Sequence, residues 1–488
     1  MALKQIFSAT LWVVAARWGL RAIGLVSTVI LARLLTPADF GVVALAMLVV
    51  GLIEIVNETG LAIYIIRHPN PQRSHFDTVF TLQLIVGAAL TLTIFAIAPL
   101  GAAFFRTPEI EPVIQLLSLR SLLWGLENPG IIWFRKNMVF QKEFQLLVGA
   151  KLGSFAITLV AAILLRSYWA LAIGIISGGV ITVILSYVLH PYRPRLSLAE
   201  GRDAWSFSTW MLLVHVLEFA NMRIDEVIVG RTRTTTEMGY YNVASDIAAT
   251  PVQELVYPMT RVWLPAFAQL ADDPAALERT YRWIIAAVGI LALSIGVGLA
   301  LVAHDAALLV LGAQWLPAVP VMQILAVTAA LSAITLPLGS VLGATGDPRV
   351  VLFLHATRSA LLLAALIPAA LWYGLAEIAL GRAIATALSV AIAFTVFERA
   401  TGLPIFTLAR GLARPAGAAL AMAAAVLTLQ AALPDLPLLR LPLSIATGAL
   451  TFAAVQLALW ALAGRPEGVE RDAFAWIRAK AKAFPTAP

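Results

Sequence analysis

The strongest constraint on this chain is a series of apolar runs, each about twenty residues long, that follow one another along its length. A helix of about twenty apolar residues is long enough to cross the roughly 30 Å hydrocarbon core of a bilayer. Of the 488 residues, 60% are hydrophobic and only 12% are charged, whereas soluble domains carry about 25% charged residues. The sequence therefore predicts an all-α, polytopic integral membrane protein.

Fourteen runs qualify as predicted transmembrane helices. The first contains Arg17 and Arg21 and is not followed by a small-residue cleavage site, so we expect a permanent span and not a signal peptide. The predicted spans cover residues 11–32, 40–60, 77–100, 110–132, 144–165, 168–190, 205–229, 239–263, 283–303, 317–341, 350–372, 374–397, 412–432 and 439–463.

The distribution of Lys and Arg predicts the orientation. With both termini in the cytoplasm, the inner segments hold twenty Lys and Arg residues and the outer loops hold six. The positive-inside rule produces this asymmetry when the number of spans is even. The net charge of +7 follows from the same bias, so we predict contact with the bilayer and no nucleic-acid partner.

An internal repeat predicts two related lobes. The stretch ILARLLTPADFGVVALA (30–46) aligns without gaps with IVGRTRTTTEMGYYNVA (228–244), at an offset of 198 residues. Six spans separate the copies, so both run in the same direction across the membrane, as in transporters whose halves are parallel repeats. The aligned pairs are Arg33 with Arg231, Asp39 with Glu237, Gly41 with Gly239 and Ala46 with Ala244.

The repeat and the hydropathy predict four regions. They are an N-terminal six-helix lobe over 1–200, a C-terminal six-helix lobe over 201–400, an extra helix pair over 401–465 and a basic amphipathic cytoplasmic tail over 466–488. The tail is expected to lie on the anionic inner leaflet. A solvated, frayed tail is the alternative.

Charged residues inside the spans are the functional clue, because each costs at least about 2.5–3.5 kcal/mol unless it faces a cavity or a partner. A guanidinium suits bidentate recognition of phosphate. We therefore expect the arginines to line a cationic cavity that binds a diphosphate, with nearby acids as coupling or cavity residues. The candidate cations are Arg17, Arg21, Arg120 and Arg223, and the candidate acids are Glu54, Glu58, Asp225 and Asp246.

The alternative is a structural role for these charges. Arg17 and Arg21 share one face of the first span, and Glu54 and Glu58 share one face of the second. This spacing fits ion pairs between the two faces. It also fits an arginine pair that faces a cavity, with the two glutamates adjusting the charge of that cavity. Static salt bridges and snorkelling arginines remain open for every candidate.

The sequence lacks the residues that several kinds of functional site require. There is no cysteine, so disulfides and thiolate metal sites are excluded. The sequence has no GxxxxGK[ST] phosphate loop and no HExxH, and its six histidines do not have metal-ligand spacing. We predict a protein that is not an enzyme and needs no metal or cofactor.

Four stretches of the sequence carry a family resemblance: ILARLLTPADFGVVALA, MRIDEVIVGRTRTTTEMGYYNVASDIAATPVQELVYPMTRVWLPAFAQL, LLVLGAQWLPAVPVMQILA and GATGDPR. They resemble the polysaccharide transporter branch of the multidrug/oligosaccharidyl-lipid/polysaccharide exporter superfamily, which has a MATE-like fold and includes Wzx-type oligosaccharide flippases.

The resemblance implies that undecaprenyl-diphosphate-linked oligosaccharide moves from the cytoplasmic to the outer leaflet of the bacterial inner membrane, for the synthesis of lipopolysaccharide or exopolysaccharide. It suggests polysaccharide polymerase or export machinery as further partners. In the related lipid II flippases, arginines on the first helix contact the diphosphate, which implies this role for Arg17 and Arg21.

Three other functions compete with this one. In a cation-coupled multidrug exporter of the same superfamily, the buried acids would be the main substrate contacts. A membrane glycan polymerase or ligase would need a long outer loop with paired Arg and His, which the sequence lacks. A passive scaffold of a synthesis complex would explain the repeat but not the buried charges.

Overall fold

The computed structural model describes residues 2–55, 61–201, 209–270, 272–345, 348–402, 404–472 and 474–475. Within these ranges the regular structure is helical and contains no β-strand, which confirms the predicted all-α class. The chain divides into two compact units, residues 1–242 and 243–488. The lobe, helix-pair and tail boundaries predicted from the repeat stay predictions.

Among the described residues, the first unit contains nine complete α-helices. Helix α4 packs on α5, α7 packs on both α1 and α8, and α5 also contacts α2. The bounds are α1 Ala2–Leu34, α2 Pro37–Glu54, α3 Leu61–Arg67, α4 Arg73–Phe105, α5 Ile110–Gly125, α6 Ile132–Lys136, α7 Phe140–Leu165, α8 Trp169–Leu189 and α9 Thr209–Thr232.

The second unit begins inside helix α10 and packs around α11, which contacts α12, α16 and α17. Its core contains a stack of rings, in which Tyr281 lies 4.8 Å from Phe397 and 6.3 Å from Phe267 between centroids. The bounds are α10 Thr235–Gln269, α11 Pro274–Ala306, α12 Val319–Ile334, α13 Leu336–Thr345, α14 Pro348–Trp372, α15 Leu375–Thr401, α16 Ile405–Ala432 and α17 Pro437–Leu462.

Eleven helical stretches of the described residues are long and apolar enough to cross a membrane, and each coincides with a predicted span. The chain is therefore a multi-pass membrane protein. The other three predicted spans fall on α5, which has only 16 residues, and on α9 and α10, which carry several charged side chains. The predicted count of fourteen is thus not established by length and apolarity alone.

The two copies of the repeat have the same local structure. In the first copy, the backbone N–H of Thr36 donates to Asp39 Oδ2 at 2.9 Å, and the N–H of Asp39 donates back to Thr36 Oγ1. In the second, the N–H of Thr234 donates to Glu237 Oε2 at 3.1 Å, with the return bond from the Glu237 N–H to Thr234 Oγ1. Each capping box satisfies N–H groups that the first turn of a helix leaves unpaired.

A pair of glycines brings these two helix starts into backbone contact. A Cβ atom on Gly41 would lie 1.7 Å from the carbonyl oxygen of Thr235, and one on Gly239 would lie 1.8 Å from that of Pro37. The contact is reciprocal: Gly239 is the repeat counterpart of Gly41, and Thr235 is the repeat counterpart of Pro37, both at the offset of 198 residues. Small residues allow helices to approach closely in a bilayer. This packing matters there because apolar side chains gain little from contacting another helix instead of lipid.

In the second unit, the segment after α17 folds back onto the helix ends. The Glu470 carboxylate lies 2.8 Å from Arg414 of α16 and accepts from Gln456 Nε2 at 2.9 Å. Trp283 Nε1 of α11 donates to Asp472 Oδ2 at 2.9 Å. The remainder of the predicted basic tail, residues 473 and 476–488, lies outside the described residues.

The glycine contact generates a stability prediction. Gly41→Ala and Gly239→Ala should each lower the thermal unfolding midpoint of the purified protein, because overpacking of this kind costs about 1–3 kcal/mol. Gly24→Ala is the matched control, since a Cβ there would meet nothing within 4 Å and Ala favours helix over Gly by about 1 kcal/mol. Equal midpoints for Gly41→Ala and Gly24→Ala would contradict the close approach.

Candidate functional site

The site is built on the close packing of α4 and α5 in the first unit. A Cβ on Gly87 would lie 2.5 Å from the Ser121 carbonyl oxygen, and one on Gly125 would lie 2.7 Å from the Gln83 carbonyl oxygen. Thr91 Oγ1 adds a bond to the Ser118 carbonyl at 3.0 Å. The two glycines let the helix backbones approach, and this approach fixes the position of the residues on the other faces of α5.

Arg120 and Ser121 of α5 both contact the carboxylate of Glu54, in the last turn of α2. Arg120 Nη2 lies 3.3 Å from Glu54 Oε2, and Ser121 Oγ donates to Glu54 Oε1 at 3.2 Å. Thus both carboxylate oxygens have a partner. Among the described residues, Arg120 is the cation that pairs with Glu54, which differs from the alternative in which a first-helix arginine does so.

The two members of this ion pair differ in accessibility. The Glu54 side chain is 9% exposed and that of Arg120 is 43% exposed. Because Glu54 holds one side of the guanidinium in place, the remaining donors of Arg120 are presented in a fixed orientation. Such a group can bind an anion through charge-assisted hydrogen bonds.

A second cluster lies on α9. Arg223 Nη1 donates to Glu226 Oε1 at 2.6 Å, and the Arg223 side chain is 42% exposed. Asp225 is fully buried and accepts a hydrogen bond from the Tyr241 hydroxyl of α10 at 2.6 Å. Arg223 therefore has the same arrangement as Arg120, an accessible guanidinium held by a buried glutamate.

The other predicted residues have different positions. Arg17 is half-buried and Arg21 is exposed on α1, which packs against α7 with Trp12 and Phe144 rings 5.2 Å apart. Asp246 is exposed on the part of α10 that belongs to the second unit. Glu58 lies outside the described residues.

Sequence reasoning missed three residues of these clusters. Glu226 has a local signal, because it is three positions after Arg223 and charges at this spacing meet on a helix. Ser121 and Tyr241 have no such signal, since their carboxylate partners lie on other helices. The described part of the chain also contains no group of three His, Asp or Glu residues placed to hold a metal ion.

The Arg120–Glu54 pair generates a second prediction. Arg120→Ala leaves a buried carboxylate without its cation, and it should lower the unfolding midpoint and the amount of folded protein in the membrane. The loss should fall below the roughly 3–5 kcal/mol of a fully buried pair, because the Arg120 side chain is 43% exposed.

A double-mutant cycle measures the interaction energy between Arg120 and Glu54 apart from their contacts with other residues. In Arg120→Ala with Glu54→Ala, both charges are gone, and the midpoint should recover above that of Arg120→Ala alone. Size-exclusion profiles and thermal unfolding of the four proteins measure the coupling. Additive effects of the two single changes would show that the pair contributes nothing.

The chain is similar in sequence to known proteins. Residues 30–320 match the family described as "Polysaccharide biosynthesis protein". The lipopolysaccharide biosynthesis protein WzxC of Escherichia coli (strain K12) is 26% identical over 347 residues, 70% of each chain. The succinoglycan biosynthesis transport protein ExoT of Rhizobium meliloti (strain 1021) is 25% identical over 323 residues, 65% of each chain.

A solved structure of the lipid II flippase MurJ in an inward closed conformation has the same fold. Its TM-score is 0.75 at 13% sequence identity, and the match covers 93% of this chain and 99% of that chain. At this identity the similarity concerns the fold.

Proposed function

The chain belongs to the polysaccharide biosynthesis protein family, and from this we propose that it is a flippase for undecaprenyl-diphosphate-linked oligosaccharide. In this proposal it moves the lipid-linked glycan from the cytoplasmic to the outer leaflet of the bacterial inner membrane by alternating access, without catalysing a reaction. The family match carries the proposal, and relatives named for lipopolysaccharide biosynthesis and succinoglycan transport support it.

Arginines of the first unit supply the chemistry that the proposal needs. We assign Arg17, Arg21, Arg120 and Arg223 to the diphosphate, because a guanidinium is permanently charged and forms paired hydrogen bonds with phosphate oxygens. A bound diphosphate uses the accessible donors of Arg120 and shares this guanidinium with Glu54. The charge of Glu54 is then less well compensated, so this residue can take up a coupling cation or proton, a role we also assign to Glu58, Asp225 and Asp246.

The Gly41–Gly239 contact supports alternating access. The predicted topology places both capping boxes at the outer ends of their helices, so we assign this backbone contact to closure of the outer side. A close contact between helix backbones can separate and re-form with little rearrangement of the side chains at the two glycines. In the proposed cycle it opens when the glycan leaves.

The arginines of the first helix provide the direct test. Arg17→Ala and Arg21→Ala should abolish surface glycan display in a flippase-deficient strain while membrane abundance stays unchanged. Each lost contact is a charge-assisted hydrogen bond of about 1.5–3 kcal/mol. Arg→Lys should rescue display in part, because Lys keeps the charge but loses the fork. Exposed Arg399 of α15 is the matched control, and Arg399→Ala should display glycan normally.

Two outcomes would reject parts of the proposal. Normal display by Arg17→Ala with Arg21→Ala would remove these residues from the substrate site. Export of cationic dyes that depends on Glu54 and Asp225, with no effect on lipid-linked glycan in proteoliposomes, would identify a multidrug exporter instead.

The orientation has its own test. We expect both termini in the cytoplasm, because the Lys and Arg residues are concentrated in the segments assigned to the inner side. A fluorescent protein fused after residue 488 should fluoresce, whereas a periplasmic alkaline phosphatase at the same position should be inactive. Phosphatase activity there would place the C-terminus on the outer side and contradict the predicted orientation.

A further inference from the structure

The polar network at one end of the first unit has no part in the proposed transport site. Residues 191–200 follow α8 as an extended segment and lie along the first turns of α4. We call this segment the strap. The sequence predicted only a basic inner loop here.

The strap is held by three side chains of α4. Asp77, which is 6% exposed, accepts from the Tyr192 hydroxyl at 2.6 Å and from the Arg195 backbone N–H at 2.7 Å. The Ser197 N–H donates to Thr81 Oγ1 at 2.8 Å, and the Glu200 N–H donates to Thr78 Oγ1 at 3.3 Å. The strap therefore has a defined course along the helix.

The base of the strap is also fixed. Asn128 Nδ2 donates to the Tyr192 carbonyl at 2.8 Å, and the Tyr192 N–H donates to His190 Nδ1 at 3.1 Å. Burial and the nearby charge of Arg193 lower the pKa of His190, so its ring stays neutral at pH 7 and can accept this bond. Burial and the bond to Asp77 raise the pKa of Tyr192, so its hydroxyl stays a donor.

The bonds define how deep each strap residue lies. Arg73 Nη2 donates to the Arg193 carbonyl at 3.0 Å, so Arg193 lies near the start of α4. Asp77 and Thr81 lie one and two turns further, about 6 Å and about 12 Å along the helix axis. Arg195 and Ser197 bond to these two residues, so the strap descends along α4 from Arg193 to Ser197.

We place the start of α4 at the membrane boundary. The helix has 33 residues, about 50 Å at 1.5 Å per residue, whereas the hydrocarbon core is roughly 30 Å thick. The predicted span in this helix begins at residue 77, so its first turn is assigned to the headgroup region. The descending strap places Arg193 and Arg195 at the headgroup level and the next residues nearer to the acyl chains.

The exposed side chains of this region match these two levels, although Arg193 Nη1 also donates to the His190 and Tyr192 carbonyls. Arg193 and Arg195 are exposed, and the Arg73 side chain is 54% exposed. Leu196 and Leu198 are 72% and 54% exposed. Two acids lie in the same region: Asp77 Oδ2 is 3.6 Å from Arg73 Nε, and Glu200 accepts from Ser74, so the three arginines leave a net positive charge. A cationic band therefore lies above an apolar one, the pattern of an interfacial anchor.

We propose that the strap is a binding site for an anionic phospholipid, with its headgroup phosphate between Arg73, Arg193 and Arg195 and its acyl chains against Leu196 and Leu198. The guanidinium groups near the start of α4 favour an anionic over a zwitterionic headgroup, because surface cations attract anionic lipids. The bound lipid would hold this end of the first unit at a constant depth.

Native mass spectrometry of the full-length protein tests the site, with dioleoyl phosphatidylglycerol and dioleoyl phosphatidylcholine as probes. The wild type should prefer phosphatidylglycerol. Arg193→Gln with Arg195→Gln should lower phosphatidylglycerol affinity roughly 25-fold, about 5-fold per arginine, and should lower phosphatidylcholine affinity less, so that the preference for phosphatidylglycerol is lost. The control pair Arg279→Gln with Arg399→Gln, at exposed positions elsewhere, should bind both lipids as the wild type does.

Two further variants change the proposed lipid contacts without removing the hydrogen bonds that hold the strap on α4. Arg195 contributes only its backbone N–H to the anchoring bonds, so Arg195→Gln alone should lose about 5-fold without a change in unfolding midpoint. Leu196→Ser should weaken both lipids equally, because acyl contacts do not depend on the headgroup.

Three outcomes would overturn the proposal. These are equal affinity of the wild type for both lipids, unchanged phosphatidylglycerol affinity in Arg195→Gln, and displacement of phosphatidylglycerol by equimolar undecaprenyl diphosphate. The last would assign the strap to the transported lipid. Because binding and not transport is measured, failure here leaves the flippase proposal intact.

Discussion

The absence of water in the hydrocarbon core determines most of this structure. A backbone N–H or C=O that finds no partner there costs several kcal/mol, so spanning segments must satisfy their hydrogen bonds internally as helices. Between helices, apolar side chains gain little over contact with lipid. Close backbone approach becomes the means of association, and glycines provide it between α2 and α10 and between α4 and α5.

The same constraint governs the charges. An isolated charge is costly in the membrane, and in the first unit the half-exposed arginines Arg120 and Arg223 each have a nearly buried glutamate partner. Each pair keeps an arginine in a fixed position while part of its guanidinium stays accessible. A structural ion pair and an anion-binding group are therefore not exclusive alternatives here. The buried glutamate is what makes an oriented, accessible guanidinium stable at such a position.

Polar networks of larger size occur where helices end. Asp77 and its neighbours hold the strap against α4, and Glu470, held by Arg414 and Gln456, fixes the segment after α17 to its own unit. Headgroups and water surround such positions, so polar side chains cost less there than in the core. The helix ends can therefore carry specific binding surfaces without weakening the spans.

The sequence by itself determined the helical membrane class, most spans and the repeat, because these depend on local hydropathy and on residue order. It also identified Arg120, Arg223, Glu54 and Asp225 as unusual, since charge within an apolar run is visible without a structure. Only the tertiary structure decided that Glu54 pairs with Arg120, that Tyr241 bonds Asp225 and that Gly41 meets Gly239. These partners lie on different helices, and which faces meet depends on packing between segments distant in sequence, a property that hydropathy does not encode.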